Sequence, residues 1–555
     1  MTNVKTNKTK MASFMRTRAF ALLLISSTVL LLLLLAFEHH IRRAVSAVSG
    51  GVLSLSRTYI NQPVDKRPPH IVFILADDYG FNDIGYQNPA MRTPNLDYLA
   101  SEGVKLDNYY VQPICTPSRA QLMSGKYQIH TMLQHSIIWS AQPNCLPLDI
   151  TTLPQKLKQA GYATHMAGKW HLGFYKKECW PTNRGFDSFL GILLGKGDHF
   201  LHTEAGSGTP YPSTWKWEGL DFRDGLLSTN AYSGIYSTHV ISKRVEHIIE
   251  NHGKDKPLFL YVSFQAVHTP LQVPESYLKP FESSIENEER RIYAGMTYCM
   301  DEAVGNITEA LKNHGMWDNT VLVFSSDNGG RIDKGASNWP LRGSKTTLWE
   351  GGVRAVGFVT SPLLSHKMKG TISRELIDIS DWYPTLIEGV AGVTLNGSEL
   401  DGFNIWETLS NGKPSPRVEL LHNIDPLITP PSTWPKETTA DLENTFSTRT
   451  YAALRHKDWK IITGYQKVNN GWYSPAESSE PSIPSEIKPG KSVWLFNITK
   501  DPREIHDLSD QEPKTVNFLL ERLKSYQSGA SPVRYPDIDM KANPARHGGV
   551  WDSWE

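Results

Sequence analysis

Along the chain, apolar runs of strand length end abruptly in polar, chemistry-bearing residues. Residues 69–76 form one continuous apolar run, the mark of a strand covered on both faces. The run stops at Asp77-Asp78-Tyr79-Gly80. Residues 257–264 read as a second buried strand, running into Gln265-Ala266-Val267-His268. Residues 320–326 read as a third, followed by Asp327-Asn328-Gly329-Gly330. A fourth begins after Gly161 and ends in Gly168-Lys169-Trp170-His171-Leu172-Gly173. Residues 104–111 and 353–360 are further strand segments. Helical signals lie between them: Thr93-Pro94 opens a helix that Gly103 closes, and 151–160 stops at Gly161. Residues 236–251, 286–313 and 376–390 also read as helices.

From about residue 415 the pattern changes. Alternation over 451–455 and 459–463 predicts an antiparallel hairpin. Residues 464–491 are rich in Pro, Ser and Glu and read as loop. A strand over 492–498 and an amphipathic helix over 515–527 follow. The tail from 528 carries few structural signals and is expected to be partly irregular, and the chain shows no internal repeat.

Length and charge narrow the class. At 555 residues the chain can hold two or more domains and a large core. Its 57 basic and 57 acidic side chains cancel, which gives no bulk-charge signal for nucleic acid. The N-terminus is more telling. Lys5, Lys8, Lys10, Arg16 and Arg18 precede an uncharged run over 19–37, long enough to span a bilayer. The positive charge predicts a cytoplasmic segment 1–18 and a lumenal remainder. The run fits a signal peptide cut near Ala44-Val45-Ser46-Ala47, or a retained anchor holding the protein to the membrane through 19–37. In both cases 38–67 is a stem or linker, and the body enters the secretory pathway, bound for the lysosome, a lumenal anchored state or secretion. Glycosylation triplets at Asn306, Asn396 and Asn497 agree, while Asn7 would lie on the wrong side. Of the four cysteines, Cys145 and Cys179 share a loop-rich region and are the candidate disulfide. The competing reading leaves Cys145, Cys179 and Cys299 as buried thiols.

The strand ends carry the candidate chemistry. Asp77 and Asp78 stand where open α/β sheets place ligands, at the C-terminal end of a buried strand. With Asp327 and Asn328 they make an oxygen cage of the kind hard cations prefer. Lys169 and His171, two apart at a strand end, point the same way. His268 and Lys345 are a candidate proton carrier and a candidate anion-facing cation. The stretch Pro113-Ile114-Cys115-Thr116-Pro117-Ser118-Arg119 introduces a further helix, since Pro117 suits a first turn. Cys115 would stand just before the helix N-terminus, where amides favour anions, and Arg119 can reach back to it. Singly, each has an ordinary structural reading: a buried small cysteine, a solvated Asp-Asp turn, a hydrogen-bonding histidine, an exposed loop lysine.

Together these motifs resemble the sulfatase family. The Cys115-x-Pro117-x-Arg119…Gly125 string is similar to its first signature, with Ser124 where Thr, Ala or Arg is usual, and Gly168-Lys169-x-His171-x-Gly173 to its second. Gln265-Ala-Val-His-Thr-Pro-Leu271 and Leu341-Arg-Gly-Ser-Lys345 look most like the branch of arylsulfatases B, I and J, which includes N-acetylgalactosamine 4-sulfatase. The resemblance covers roughly 68–530. It implies an alkaline-phosphatase-like α/β sandwich, with a large mixed sheet flanked by helices over 68–414 and a smaller C-terminal antiparallel-sheet domain over 415–530, which leaves 531–555 as the irregular tail. It implies that Cys115 is oxidised to formylglycine by the formylglycine-generating enzyme, and that one calcium ion is bound by Asp77, Asp78, Asp327, Asn328 and residue 115. Arg119, Lys169 and Lys345 would then spread the anion's charge, His268 or Lys345 would protonate the leaving alcohol, and His171 would take a proton from the aldehyde hydrate. The implied substrates are aryl sulfates and sulfated galactosamine units of glycosaminoglycans. Two rivals differ in what they require. A phosphodiesterase or phosphatase of the same superfold would want a Ser or Thr nucleophile and ligands for two zinc ions. A silent sulfated-glycan binding protein would keep the pocket without turnover. Relatives of this branch usually carry more disulfides than four cysteines allow.

Overall fold

The structure is a computed structural model that describes residues 67–206, 217–395, 399–432, 445–466, 469–485 and 490–555. The run over 19–37, the stem up to 66, and the triplets at Asn7 and Asn396 lie outside the described residues.

Ten strands form the main sheet: β1 (His70–Ala76), β2 (Val104–Leu106), β3 (Ala163–Gly168), β4 (Ser188–Gly191), β5 (Arg223–Asp224), β6 (Leu227–Ser228), β7 (Leu258–Ser263), β8 (Thr320–Ser326), β9 (Gly357–Thr360) and β10 (Thr371–Ser373). Their spatial order is β10-β2-β9-β8-β1-β7-β3-β4-β5-β6. The central strands β8, β1, β7, β3 and β4 are parallel to one another. Strand β9 runs antiparallel to β8 and β2, and β5 antiparallel to β4, so the sheet is mixed. β1 is central because it has no polar face to expose. Ile71, Phe73 and Leu75 point into one apolar layer, and Val72, Ile74 and Ala76 into the other.

Helices cover both faces. α1 (Pro94–Ser101), α4 (Ser237–Glu250) and α5 (Glu288–Asn313) pack Leu96, Val245 and Met300 into the layer that holds Val72. α2 (Cys115–Ser124) and α3 (Leu153–Gln159) pack Leu122 and Leu157 into the opposite layer. A Thr152–Gln155 capping box starts α3, and the Asn287 side chain caps α5. A separate sheet of four antiparallel strands, β11 (Glu419–Asp425), β12 (Tyr451–His456), β13 (Trp459–Thr463) and β14 (Val493–Asn497), carries α6 (Pro513–Gly529) through Leu519 and Leu523.

Two segments depart from the pattern read along the chain. The strand expected over 104–111 divides at Asp107-Asn108. Asp107 turns aside to Arg354 (Nη2–Oδ1 2.6 Å), and Tyr109–Tyr110 then pairs with Ile377–Asp378 instead of the main sheet. The helix expected over 376–390 accordingly begins as that strand. Its helical part starts only where the Asp378 carboxylate accepts the Ser380 amide, and it ends as a π-turn, Thr385–Val390, after Pro384. The strand expected over 353–360 is confined to Gly357–Thr360. The tail has only two short helical turns, Met540–Ala542 and Pro544–His547, yet Trp551 is fully buried and Trp554 packs edge-on against Phe174. No helix among the described residues is long and apolar enough to cross a membrane.

The small sheet is tied to the large one by a buried ion cluster. Lys460 Nζ lies 2.8 Å from Glu350 and 2.9 Å from Glu504, and the Tyr110 hydroxyl donates to Glu350 at 2.7 Å. All four side chains are buried. Lys460→Met removes the shared cation and leaves two facing carboxylates. It is expected to cost about 3–5 kcal/mol, read as a lowered denaturation midpoint. A midpoint equal to that of the unaltered chain would contradict the clasp.

Candidate active site

Because β8, β1, β7 and β3 are parallel, the residues that follow them emerge at one edge of the sheet. Asp77 and Asp78 follow β1, Asp327 and Asn328 follow β8, Lys169 and His171 follow β3, and His268 lies beyond β7. Helix α2 starts at Cys115 itself, one residue earlier than expected, after an extended Ile114. Lys345 arrives from the loop beyond β8. All of these residues and Arg119 are buried.

They form one connected cluster. Cys115 Sγ lies 3.6 Å from Asp77 Oδ1 and 3.4 Å from Lys345 Nζ. Lys169 donates to Asp77 at 2.5 Å, and Lys345 pairs with Asp78 at 2.5 Å. The Asn328 amide donates to Asp78 at 2.8 Å. The Arg119 guanidinium donates to Asp327 Oδ2 through Nε (3.0 Å) and Nη2 (2.8 Å), and to Ser263 Oγ at 2.7 Å. His268 Nδ1 donates to the Thr269 carbonyl at 2.7 Å, which turns Nε2 toward Asp78, 3.5 Å away. Neither ring nitrogen of His171 has a hydrogen-bond partner.

The backbone is held in unusual conformations here. Asp78, His171 and Thr346 have φ of 57°, 56° and 73°, a left-handed region that side-chain-bearing residues seldom occupy away from functional sites. Gly168 has φ 112°, and a Cβ there would fall 1.8 Å from the Ser263 carbonyl oxygen, so only glycine lets β3 and β7 deliver Lys169 to Asp77.

Electrostatics set the protonation states. Burial pushes the Cys115 thiol up to about 12, against the pull of Lys169 and Lys345, so as a thiol it is a poor nucleophile near neutral pH. Burial, reinforced by the neighbouring cations, holds His171 well below the usual histidine range. Burial does the same to His268, although Asp78 opposes it. Both rings are therefore neutral. Lys345 stays an ammonium: Asp78 and the other acids outweigh its burial and raise it.

Asp77, Asp78, Cys115 and His268 each offer a ligand atom within 4.8 Å of the others, a candidate metal-binding cluster. His268 stands in this cluster beside the expected Asp77, Asp78 and Cys115, and Asp327 and Asn328 adjoin it, Asp327 Oδ1 accepting the Asp78 amide at 3.2 Å. Asp78 Oδ2 and Asn328 Oδ1 are buried without a hydrogen-bond donor. Such orphaned acceptors, in a donor set dominated by oxygen, fit a hard cation.

The comparisons with known proteins agree with this geometry. The profile of the sulfatase family matches residues 69–393. Over 510 residues the chain is 51% identical to arylsulfatase J of Mus musculus, covering 88% of this chain and 82% of that one. Over 379 residues it is 30% identical to N-acetylgalactosamine-6-sulfatase of Homo sapiens, covering 65% and 70%. The solved structure of Ps i-CgsB in complex with k-i-k-neocarrahexaose superposes with a TM-score of 0.68 at 26% identity, over 87% of this chain and 98% of that one. The chain belongs to the sulfatase family.

This sulfatase is thus a sulfuric ester hydrolase, and its mixed sheet with the separate four-stranded sheet is the alkaline-phosphatase-like sandwich expected from the sequence. Cys115, His171, His268 and Lys345 line a cavity of about 630 Å³, whereas Arg119 and Lys169 lie beneath its lining. Trp139, Glu204 and Arg331 also line it and carry no signature in the sequence, because segments far apart along the chain bring them together. Cys145 and Cys179 are disulfide-bonded, with Cα atoms 6.1 Å apart. The bridge clamps the loop after His171: the Leu146 amide donates to the Leu172 carbonyl at 3.0 Å. Cys299 is free and buried. Asn306 is exposed on α5 and Asn497 half-buried at the end of β14.

The His171 ring is seated by Gly195, where a Cβ would come within 2.6 Å of it. Gly195→Ala is expected to displace the imidazole and lower kcat by about 10- to 100-fold with little change in melting temperature. A normal kcat in that variant would contradict the seating.

Proposed function

We propose that this sulfatase works through a formylglycine made from Cys115 together with one bound calcium ion, and that its natural substrates are sulfated hexosamine units of glycosaminoglycans, N-acetylgalactosamine foremost. Small aryl sulfates serve as substrates in vitro. The observation that carries the reading is the setting of Cys115. It is buried at the start of α2, between the Lys345 ammonium and the Asp77 carboxylate, with a thiol too weakly acidic to act as it stands. Asp77, Asp78, Asp327, Asn328 and residue 115 would hold the calcium. Bound there, calcium supplies Lewis acidity toward the sulfate oxygens, and the hydrated aldehyde supplies two hydroxyls on one carbon, one to attack sulfur and one to let sulfate depart.

The chain's own residues do the rest. Lys345, which lines the cavity, binds the anion; Lys169, held on Asp77 beneath the lining, helps spread its charge, while Arg119, spent on Asp327 and Ser263, orients the acidic wall from below. The Lys345 ammonium passes a proton to the departing alcohol, because neutral His268 spends its one ring proton on the Thr269 carbonyl and has none at Nε2. Neutral His171, with both nitrogens unengaged, accepts the proton released at residue 115. Cys115 is only 1% exposed, so the formylglycine-generating enzyme must reach it before the fold closes. That timing agrees with modification along the secretory pathway, and with a lysosomal, lumenal anchored or secreted destination.

Cys115→Ala is expected to abolish aryl sulfate turnover, by roughly 10⁴-fold or more, while leaving folding and secretion intact. Chelation of the unaltered enzyme with EGTA should remove activity that added calcium restores. Substantial turnover in Cys115→Ala, or full activity after exhaustive chelation, would contradict the reading.

A further inference from the structure

The catalytic account leaves one buried acid in the cavity unused. Glu204 lies on the strand Thr203–Gly206, which pairs antiparallel with Trp217–Leu220. Burial alternates along it: Glu204 and Gly206 face in, and Ala205 faces out. An inward strand position ordinarily carries an apolar side chain. Here it carries a carboxyl that lines the same cavity as Cys115, His171 and Lys345.

The position is firmly built. The Trp551 indole, fully buried, donates to the Glu204 carbonyl at 3.0 Å, so the tail holds this strand against the cavity. The side chain itself is poorly compensated. Its ionic neighbour is Lys196, 3.6 Å away and 41% exposed, too distant and too solvated to balance a buried charge. Burial lifts the Glu204 carboxyl to about 8, so the group carries its proton near neutral pH. A neutral acid suits a cavity that must hold a sulfate anion, because a carboxylate would repel it. It can also accept a hydrogen bond and donate one. Trp139 lines the same cavity and adds apolar surface, the combination that suits a sugar ring with apolar faces and polar edges.

We infer that Glu204 is a specificity-determining residue that hydrogen-bonds a hydroxyl or amide N–H on the sugar bearing the sulfate ester. The inference rests on the sulfated-hexosamine reading above and adds the residue that tells such a sugar from a plain aryl ester. The leaving alcohol occupies the cavity beside the reacting position, and Glu204 is an inward acid there with hydrogen-bonding capacity to spare. A small aryl ester has no ring hydroxyl or amide N–H to offer it.

Glu204→Ala and Glu204→Gln, made in the full chain, would be assayed with 4-nitrophenyl sulfate and with N-acetylhexosamines carrying one ester at O4 or O6. The ratio of kcat/KM for sugar over aryl ester, taken on a single preparation, cancels the fraction of active protein. In Glu204→Ala this ratio should fall by about 10-fold or more. In Glu204→Gln, which keeps a neutral hydrogen-bonding group, it should stay within about 3-fold of the original. An unchanged ratio in Glu204→Ala overturns the inference. So does an unaltered enzyme that cleaves the aryl ester but none of the sugars. An unaltered enzyme inactive on every substrate would instead sink the catalytic reading, and this inference with it.

Discussion

Three carboxylates, Asp77, Asp78 and Asp327, are buried at one edge of the sheet against the cationic side chains of Arg119, Lys169 and Lys345. Their formal charges cancel. Burying six such groups is expensive, and a core of matched apolar residues would be as stable or more so. Stability is therefore a poor explanation for the cluster, and function a better one. A divalent cation added to a balanced set leaves the site net positive, which is what a sulfate ester needs. The pairing also explains the surrounding architecture. Parallel strands bring the carboxylates to one edge, Gly168 allows β7 to approach β3, and Arg119 fixes Asp327 from below.

The same cluster accounts for the protonation states around it. Where the side chains are buried, histidines facing fixed cations stay neutral, and a lysine facing carboxylates stays charged. Acceptors and donors of protons are thus set apart by environment within one cavity. The Cys115 thiol falls on the inert side of this division, which is the ground for proposing a different functional group at that position.

Much of this was legible along the chain. Buried strands that end in Asp-Asp, Asp-Asn or Lys-x-His announce both the sheet and the edge where its buried polar cluster gathers, because burial on both faces and the C-terminal location of ligands are local signals. The signals failed where a long-range partner decided the outcome. Arg354 breaks the strand at Asp107, and Tyr109–Tyr110 recruits Ile377–Asp378 from an expected helix. The tail looked featureless, yet Trp551 is buried because a strand some 350 residues away offers it a carbonyl. His268 within the candidate metal cluster, and Glu204, Trp139 and Arg331 around the cavity, follow from three-dimensional placement that no local spacing encodes.

The central claim is that residue 115 is an aldehyde and no longer a thiol. Its most direct test is the mass of the proteolytic peptide spanning residues 106–119, taken from protein made in a secretory-pathway host. The account predicts a peptide lighter by the exchange of thiol for aldehyde. An unmodified thiol, from a host that modifies other sulfatases, would contradict it.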